Sequence, residues 1–263
     1  MHFGQTDYLE VVMLNFASSF FRFSASAVVL AGIGFLSAAH AAAVTPESLL
    51  EKYDAIMGPD SFDSTARMTA TREDGTKRVY EMRFVKKGTE KFRIWFKGPS
   101  AVAGQEVLRV GDNSWVYLPN LKRATRIANR DSFQGGDFNN ADVLRVNYKA
   151  DYHAVLANSD KPDQWLIELK AKNSSTSYEA IKLWMRKSDS MPVRGEYYGT
   201  SGKILRSAEF SDYKEFAKGY RRPAKVLMKN ELIKERSTEL LTQAMTVDVS
   251  LPDQRFTLPD LGK

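Results

Sequence analysis

Apolar and polar residues alternate with a period of two through most of this chain, which confines it to a sheet with one buried face. Ala66, Met68 and Ala70 alternate with Arg67, Thr69 and Thr71. The Asp74-Gly75 pair then offers a tight hairpin turn, and Tyr80, Met82 and Phe84 return on one face. The same grammar recurs over residues 92–96, 106–110, 115–118, 165–169, 180–185, 193–198, 204–210, 225–229 and 240–249. About ten or eleven strands joined by short turns predict a mainly β fold built as an antiparallel meander. No sequence repeat accompanies the strands, which argues against a solenoid or propeller. One helix is predicted ahead of them, opening at Thr45-Pro46 and closing at Gly58-Pro59, with Leu49, Tyr53, Ile56 and Met57 on one face.

A sheet of this kind must bury its apolar face against something. The inward set is bulky: Tyr80, Met82 and Phe84, then Phe92, Ile94 and Phe96. Trp165, Ile167 and Leu169 follow, and then Ile181, Leu183 and Met185. Only the short helix and one irregular stretch, Asn129 to Asn147, are available to cover them. Curling into an incomplete barrel around the helix satisfies the requirement. Its interior is then either packed solid by these side chains or left partly empty as a pocket for an apolar ligand. The irregular stretch is in turn either a lid or a surface excursion.

The N-terminus reads as an address rather than as part of that domain. No acidic or basic residue occurs between Arg22 and Glu47, and Ser24 to Ser37 is an apolar core of signal-peptide length. The small residues Ala38 to Ala43 follow it with cleavage sites after Ala41 or Ala43, while the residues before Met13 make an overlong leading segment. A retained membrane anchor is the alternative, disfavoured by the small residues at the end of the run. The expected organisation is a signal peptide over 1–43 and a single domain over 44–263, exported to a Gram-negative periplasm.

Chemistry is sparse. The chain has no Cys, which excludes disulfides, thiolate metal sites, thiol nucleophiles and a lipid-modified cysteine. Two of its three His fall within the signal segment, leaving His153, so a multi-His metal site is excluded and no metal or other cofactor is expected. Gly199-Thr200-Ser201-Gly202-Lys203 carries a Gly-Lys pair, but Tyr197 and Ile204 stand where a phosphate loop needs Gly and Ser or Thr. It reads as a hairpin loop. Nucleophile elbows and calcium loops are absent, so no enzymatic activity is expected. The net charge is +6, with clusters at Lys86-Lys87-Lys91, Lys122-Arg123-Arg126-Arg130 and Arg221-Arg222-Lys225. In strands such charges mostly form the solvated face, and an exported chain rarely meets nucleic acid, so none is expected as a partner. Attraction to anionic headgroups or to an acidic partner remains.

The strand-rich run from Gly104 to Ile127, containing Val116-Tyr117-Leu118-Pro119 and Lys122-Arg123, leads directly into Asp131 to Val143, DSFQGGDFNNADV. Together with the N-terminal signal and helix, these stretches resemble the LolA-like outer-membrane lipoprotein-sorting proteins over essentially the whole mature chain. The resemblance implies an unclosed antiparallel barrel lidded by short helices, with a hydrophobic cavity that accepts acyl chains. It implies a soluble monomeric carrier that moves lipid or acylated lipoprotein between the inner membrane, at an RND-type exporter, and the outer membrane. The absence of Cys removes the lipobox of a tethered receptor. On this view the inward residues above bind the ligand, and Asn129 to Asn147 is a mobile cover. Gly135 and Gly136 give it hinge freedom, Phe133 and Phe138 plug the mouth, and Asp137 caps the turn at Ala141 to Leu144. An adaptor that docks an exporter through Lys122, Arg123 and Arg126, without cargo, is the alternative.

Overall fold

The computed structural model describes residues 43–263, so residues 1–42 of the expected signal segment lie outside the described residues. The first helix, α1 (Pro46–Met57), begins at Thr45, whose hydroxyl accepts from the Ser48 N–H at 3.1 Å while the Ser48 hydroxyl accepts from the Thr45 N–H at 3.2 Å. Two orphan donors of the first turn are thereby satisfied. Its buried stripe is Leu49, Leu50 and Tyr53, with Ile56 and Met57 half-buried.

Thirteen strands follow: β1 (Ser61–Thr71), β2 (Lys77–Lys87), β3 (Lys91–Gly98), β4 (Glu106–Val110), β5 (Asn113–Leu118), β6 (Arg123–Ile127) and β7 (Tyr152–Ala157). The rest are β8 (Gln164–Ala171), β9 (Ala180–Arg186), β10 (Pro192–Tyr198), β11 (Ile204–Ala217), β12 (Tyr220–Asn230) and β13 (Ser237–Val247). They form one sheet in the order β6-β5-β4-β3-β2-β1-β13-β12-β11-β10-β9-β8-β7. Every chain neighbour within a run pairs antiparallel, and β1 against β13, from Phe62 opposite Val247 to Thr71 opposite Ser237, joins the two halves. The sheet is the expected incomplete barrel, wider by the two strands at its free edges, β6 and β7.

The connection from one free edge to the other, residues 128–151, holds two further helices, α2 (Asn140–Leu144) and α3 (Tyr148–Asp151). Its Phe133, Phe138, Val143 and Leu144 join Leu49, Leu50 and Tyr53 of α1 and the inward residues of the sheet in one apolar cluster. The opposite face of the sheet carries a second, smaller cluster. Val85 and Leu108 are covered there by Leu251, Phe256 and Leu261 of the C-terminal segment, with Trp95, Trp115 and Tyr117 packed around them. At its centre Arg93, 1% exposed, donates from Nε to Glu106 at 2.8 Å and from Nη1 to Asp260 at 2.7 Å and to the Arg255 carbonyl at 2.6 Å. These last residues carry no helical or strand periodicity in the sequence. The structure makes them a strap, because a sheet this wide has apolar surface on both faces.

Candidate functional site

The inward residues are assembled as one body: Tyr80, Met82, Phe84, Phe92, Ile94 and Phe96 are buried in the inner cluster, as are Ile167, Leu169, Ile181, Leu183 and Met185, with Trp165 half-buried against it. Most of this body is packed. Edge-to-face contacts of Phe92 with Phe62 (5.8 Å) and with Phe84 (6.0 Å) mark where it opens. A cavity of about 100 Å³ lies there, between the inner face of the sheet and the helical cover. Of the twelve positions it is lined by Phe84 and Phe92. Its other apolar walls include Phe62, Phe210 and Met228 from the sheet, Tyr53 from α1, and Phe138 and Leu144 from the cover, and Lys86, Asp142, Arg145 and Arg222 also reach it. The strands carrying Phe210, Val226 and Met228 are legible in the sequence, but these side chains are not among the twelve inward positions expected from it. The signal was present, since each holds the inward place in its alternation.

The cover is tied down at several points. Phe133 stacks on Phe96, with ring centroids 5.9 Å apart, and Tyr80 donates its hydroxyl to the Gln134 carbonyl at 3.2 Å. Gly135 has φ +72°, a conformation that favours glycine. Gly136 is closely packed: a Cβ there would sit 3.0 Å from Thr238 Oγ1 and 3.3 Å from the Phe133 carbonyl. Asp137 does not cap α2. It is 1% exposed and accepts from Thr238 Oγ1 at 2.9 Å and from Asn230 Nδ2 at 3.1 Å, anchoring the cover to β12 and β13. The cap is Asn139, whose N–H donates to Asp142 at 2.7 Å. Asp137 lies two residues before that cap, and its carboxylate is engaged by Thr238 and Asn230 instead.

Several charges stand close to this interior. Burial raises Asp54 to about 6 against the Tyr148 and Lys149 N–H groups, which donate to it at 2.8 and 2.9 Å and tie α1 to α3. Burial likewise raises Asp142 to about 6, opposed by its bonds from Asn139 and Tyr178. Lys86 is lowered to about 8 by burial and donates to the Gly58 and Pro59 carbonyls at 2.8 and 2.7 Å. Lys86 and Asp142 on the cavity lining and Asp54 beside it therefore hold structure together, as does Arg222, also on the lining, which donates to the Met57 carbonyl at 3.0 Å. On the outside, Lys122, Arg123 and Arg126 are exposed along the free edge strand β6, with Arg126 bonded to Asn113.

A family model with the description "uncharacterized protein" matches residues 88–263. The fold is shared with a solved LolA superfamily protein of Nitrosomonas europaea, 28% identical, covering 82% of this chain and 98% of that one at a TM-score of 0.74. The chain belongs to that family, within the LolA superfamily. The same fold is found in a Vibrio parahaemolyticus domain described as an outer membrane lipoprotein-sorting protein, at 22% identity, 83% and 98% coverage and a TM-score of 0.71. A DUF1329 family protein of Desulfovibrio piger shares it at 22% identity, 83% and 100% coverage and a TM-score of 0.73. A comparison with curated proteins finds no match.

Proposed function

We propose that this LolA superfamily member is an exported, soluble, monomeric carrier that works by binding rather than catalysis. It takes lipid or lipoprotein acyl chains under its cover in the periplasm and passes them between the inner membrane, at an RND-type exporter, and the outer membrane. The observation that carries the proposal is the apolar cavity between α1, the cover and the inner face of the sheet. Each CH2 moved from water into such a site gains about 0.8 kcal/mol. Aromatic and Met walls suit a cargo of variable shape, because rings offer large area and Met adapts. A cavity of about 100 Å³ takes only part of an acyl chain, since one water alone needs roughly 10–15 Å³ of the same measure. Loading therefore requires the cover, residues 129–147, to swing off the sheet, and its return expels cargo without a nucleotide.

The test is mass spectrometry of organic extracts from protein purified out of the periplasm. Phospholipid or acylated peptide in stoichiometric amount is the expected result, and an extract free of any amphiphile contradicts the carrier. A second reading, an exporter adaptor without cargo, draws on the exposed basic edge of β6. Under that reading reversal of Lys122, Arg123 and Arg126 to Glu abolishes partner capture while the extract stays clean.

A further inference from the structure

The inner face of the sheet ends in a polar row under the cover. Next along β11 and β12 from Ala208 and Met228, both buried in the inner cluster, Arg206 and Asn230 take the following inward places and pair with each other. Arg236, just before β13, lies on the other side of Asn230, whose N–H donates to its carbonyl at 3.1 Å. Two guanidiniums with a carboxamide between them thus rim the same strands whose Phe210, Met228 and Leu240 line the apolar cavity.

The cover fills this row imperfectly. Arg236 donates from Nη2 to the Gly135 carbonyl at 3.2 Å, and Arg206 from Nη1 to the Tyr178 hydroxyl at 3.3 Å and to Asn139 Oδ1 at 3.5 Å. Asp137 brings a carboxylate, which takes bonds from Asn230 and Thr238 but stays 3.7 Å from Arg236 Nε. Arg206 Nε and Arg236 Nε are both buried, and neither has an acceptor among the described residues. A buried donor on a charged group is rarely left so, and two at one rim point to an acceptor that the cover does not supply. The charges also divide by element. Both cations belong to the sheet, whereas the carboxylates that face them, Asp137 and Asp142, belong to the cover, Asp142 being bonded by Asn139 and Tyr178. Glu231, beside Asn230, is exposed and accepts from Ser207, which holds an outward place on β11. Lifting the cover therefore removes both carboxylates and leaves Arg206, Asn230, Arg236 and Thr238 at the rim of an apolar trough. Guanidinium forks and neutral donors so arranged suit an anion with several oxygens, such as a phosphate, better than one planar carboxylate.

We infer that this rim binds the phosphate-type anionic head of an amphiphilic cargo, which replaces the Asp137 carboxylate on Arg206, Asn230 and Arg236 when the cover opens. The inference rests on the carrier reading and adds a headgroup site to it, with Asp137 as a built-in competitor. The probes are dodecyl phosphate, dodecanol and inorganic phosphate, titrated calorimetrically into the purified protein at neutral pH and fixed salt. Dodecyl phosphate should bind about tenfold tighter than dodecanol, the size expected for one charge-assisted hydrogen bond, and far tighter than inorganic phosphate. In the double variant Arg206→Gln, Arg236→Gln the ratio of the two dodecyl affinities should fall to about one. In Asp137→Asn, which keeps an acceptor for Thr238 and removes the competing charge, the ratio should rise severalfold, a gain that misfolding does not produce. Equal binding of the two dodecyl probes by wild type, a ratio that survives the double substitution, or one that fails to rise in Asp137→Asn overturns the headgroup site, while saturable dodecanol binding leaves the carrier standing. Inorganic phosphate binding as tightly as dodecyl phosphate identifies a free anion as the ligand and overturns the amphiphile. Failure of both dodecyl probes to bind overturns the carrier reading as well.

Discussion

Gly136 and Asp142 show how much of the cover rests on single side chains. Gly136 has an ordinary φ of −82°, so its requirement is one of space, with Thr238 Oγ1 where a Cβ would need to be. Gly136→Ala should cost about 1–3 kcal/mol, the usual penalty of overpacking, read as a lower urea midpoint with an unchanged slope. Asp142 makes a pH prediction. Its folded value of about 6 lies above the ordinary 3.8, so the folded state holds the proton more tightly than the unfolded chain. Its contribution to stability is therefore complete at low pH and is lost as pH rises through about 6. The melting temperature of wild type relative to Asp142→Asn should fall across that window. A difference that stays flat with pH contradicts the assignment of Asp142 as a buried, ionising carboxyl.

Among elements, the C-terminal strap and the edge strands are instructive. Arg93→Ala would leave Glu106, 4% exposed, without its partner and free the strap at Asp260. The expected loss is about 3–5 kcal/mol in denaturant unfolding, as for other buried pairs broken on one side. Strands with one buried face were legible because burial is what writes a period of two. β6 is exposed along nearly its whole length, and β7 leaves Val155 and Leu156 outside, so at these edges the pattern fades. The strap was illegible for another reason. Leu251, Phe256 and Leu261 follow neither helical nor strand spacing, and the outward Trp95 and Leu108 they cover are interleaved with charges on the same strands. The cover was legible as a break in the meander, but its anchors were not. Asp137 bonds to Thr238 and Asn230, about a hundred residues away, and no local spacing encodes that meeting.

At the scale of the whole molecule, a single open sheet is clad on both faces, by α1 and the cover within and by the strap without. The inner cladding leaves a cavity of about 100 Å³, so under the proposed carrier function loading requires the cover to move against its anchors on β12 and β13. The chain has no Cys, which makes a tether clean: Gly136→Cys with Thr238→Cys should form a disulfide that locks the cover. Oxidised, this variant should lose most acyl binding, and reductant should restore it. The most direct test of the account is titration of a fluorescent long-chain fatty-acyl probe into wild type, Phe84→Glu and Val79→Glu. Phe84 lines the cavity, whereas Val79 lies on the same strand with 41% of its surface exposed. Saturable binding is expected for wild type and Val79→Glu, and binding at least about tenfold weaker for Phe84→Glu, since a buried unpaired carboxylate would oppose the chain. Equal binding by wild type and a folded Phe84→Glu would contradict it.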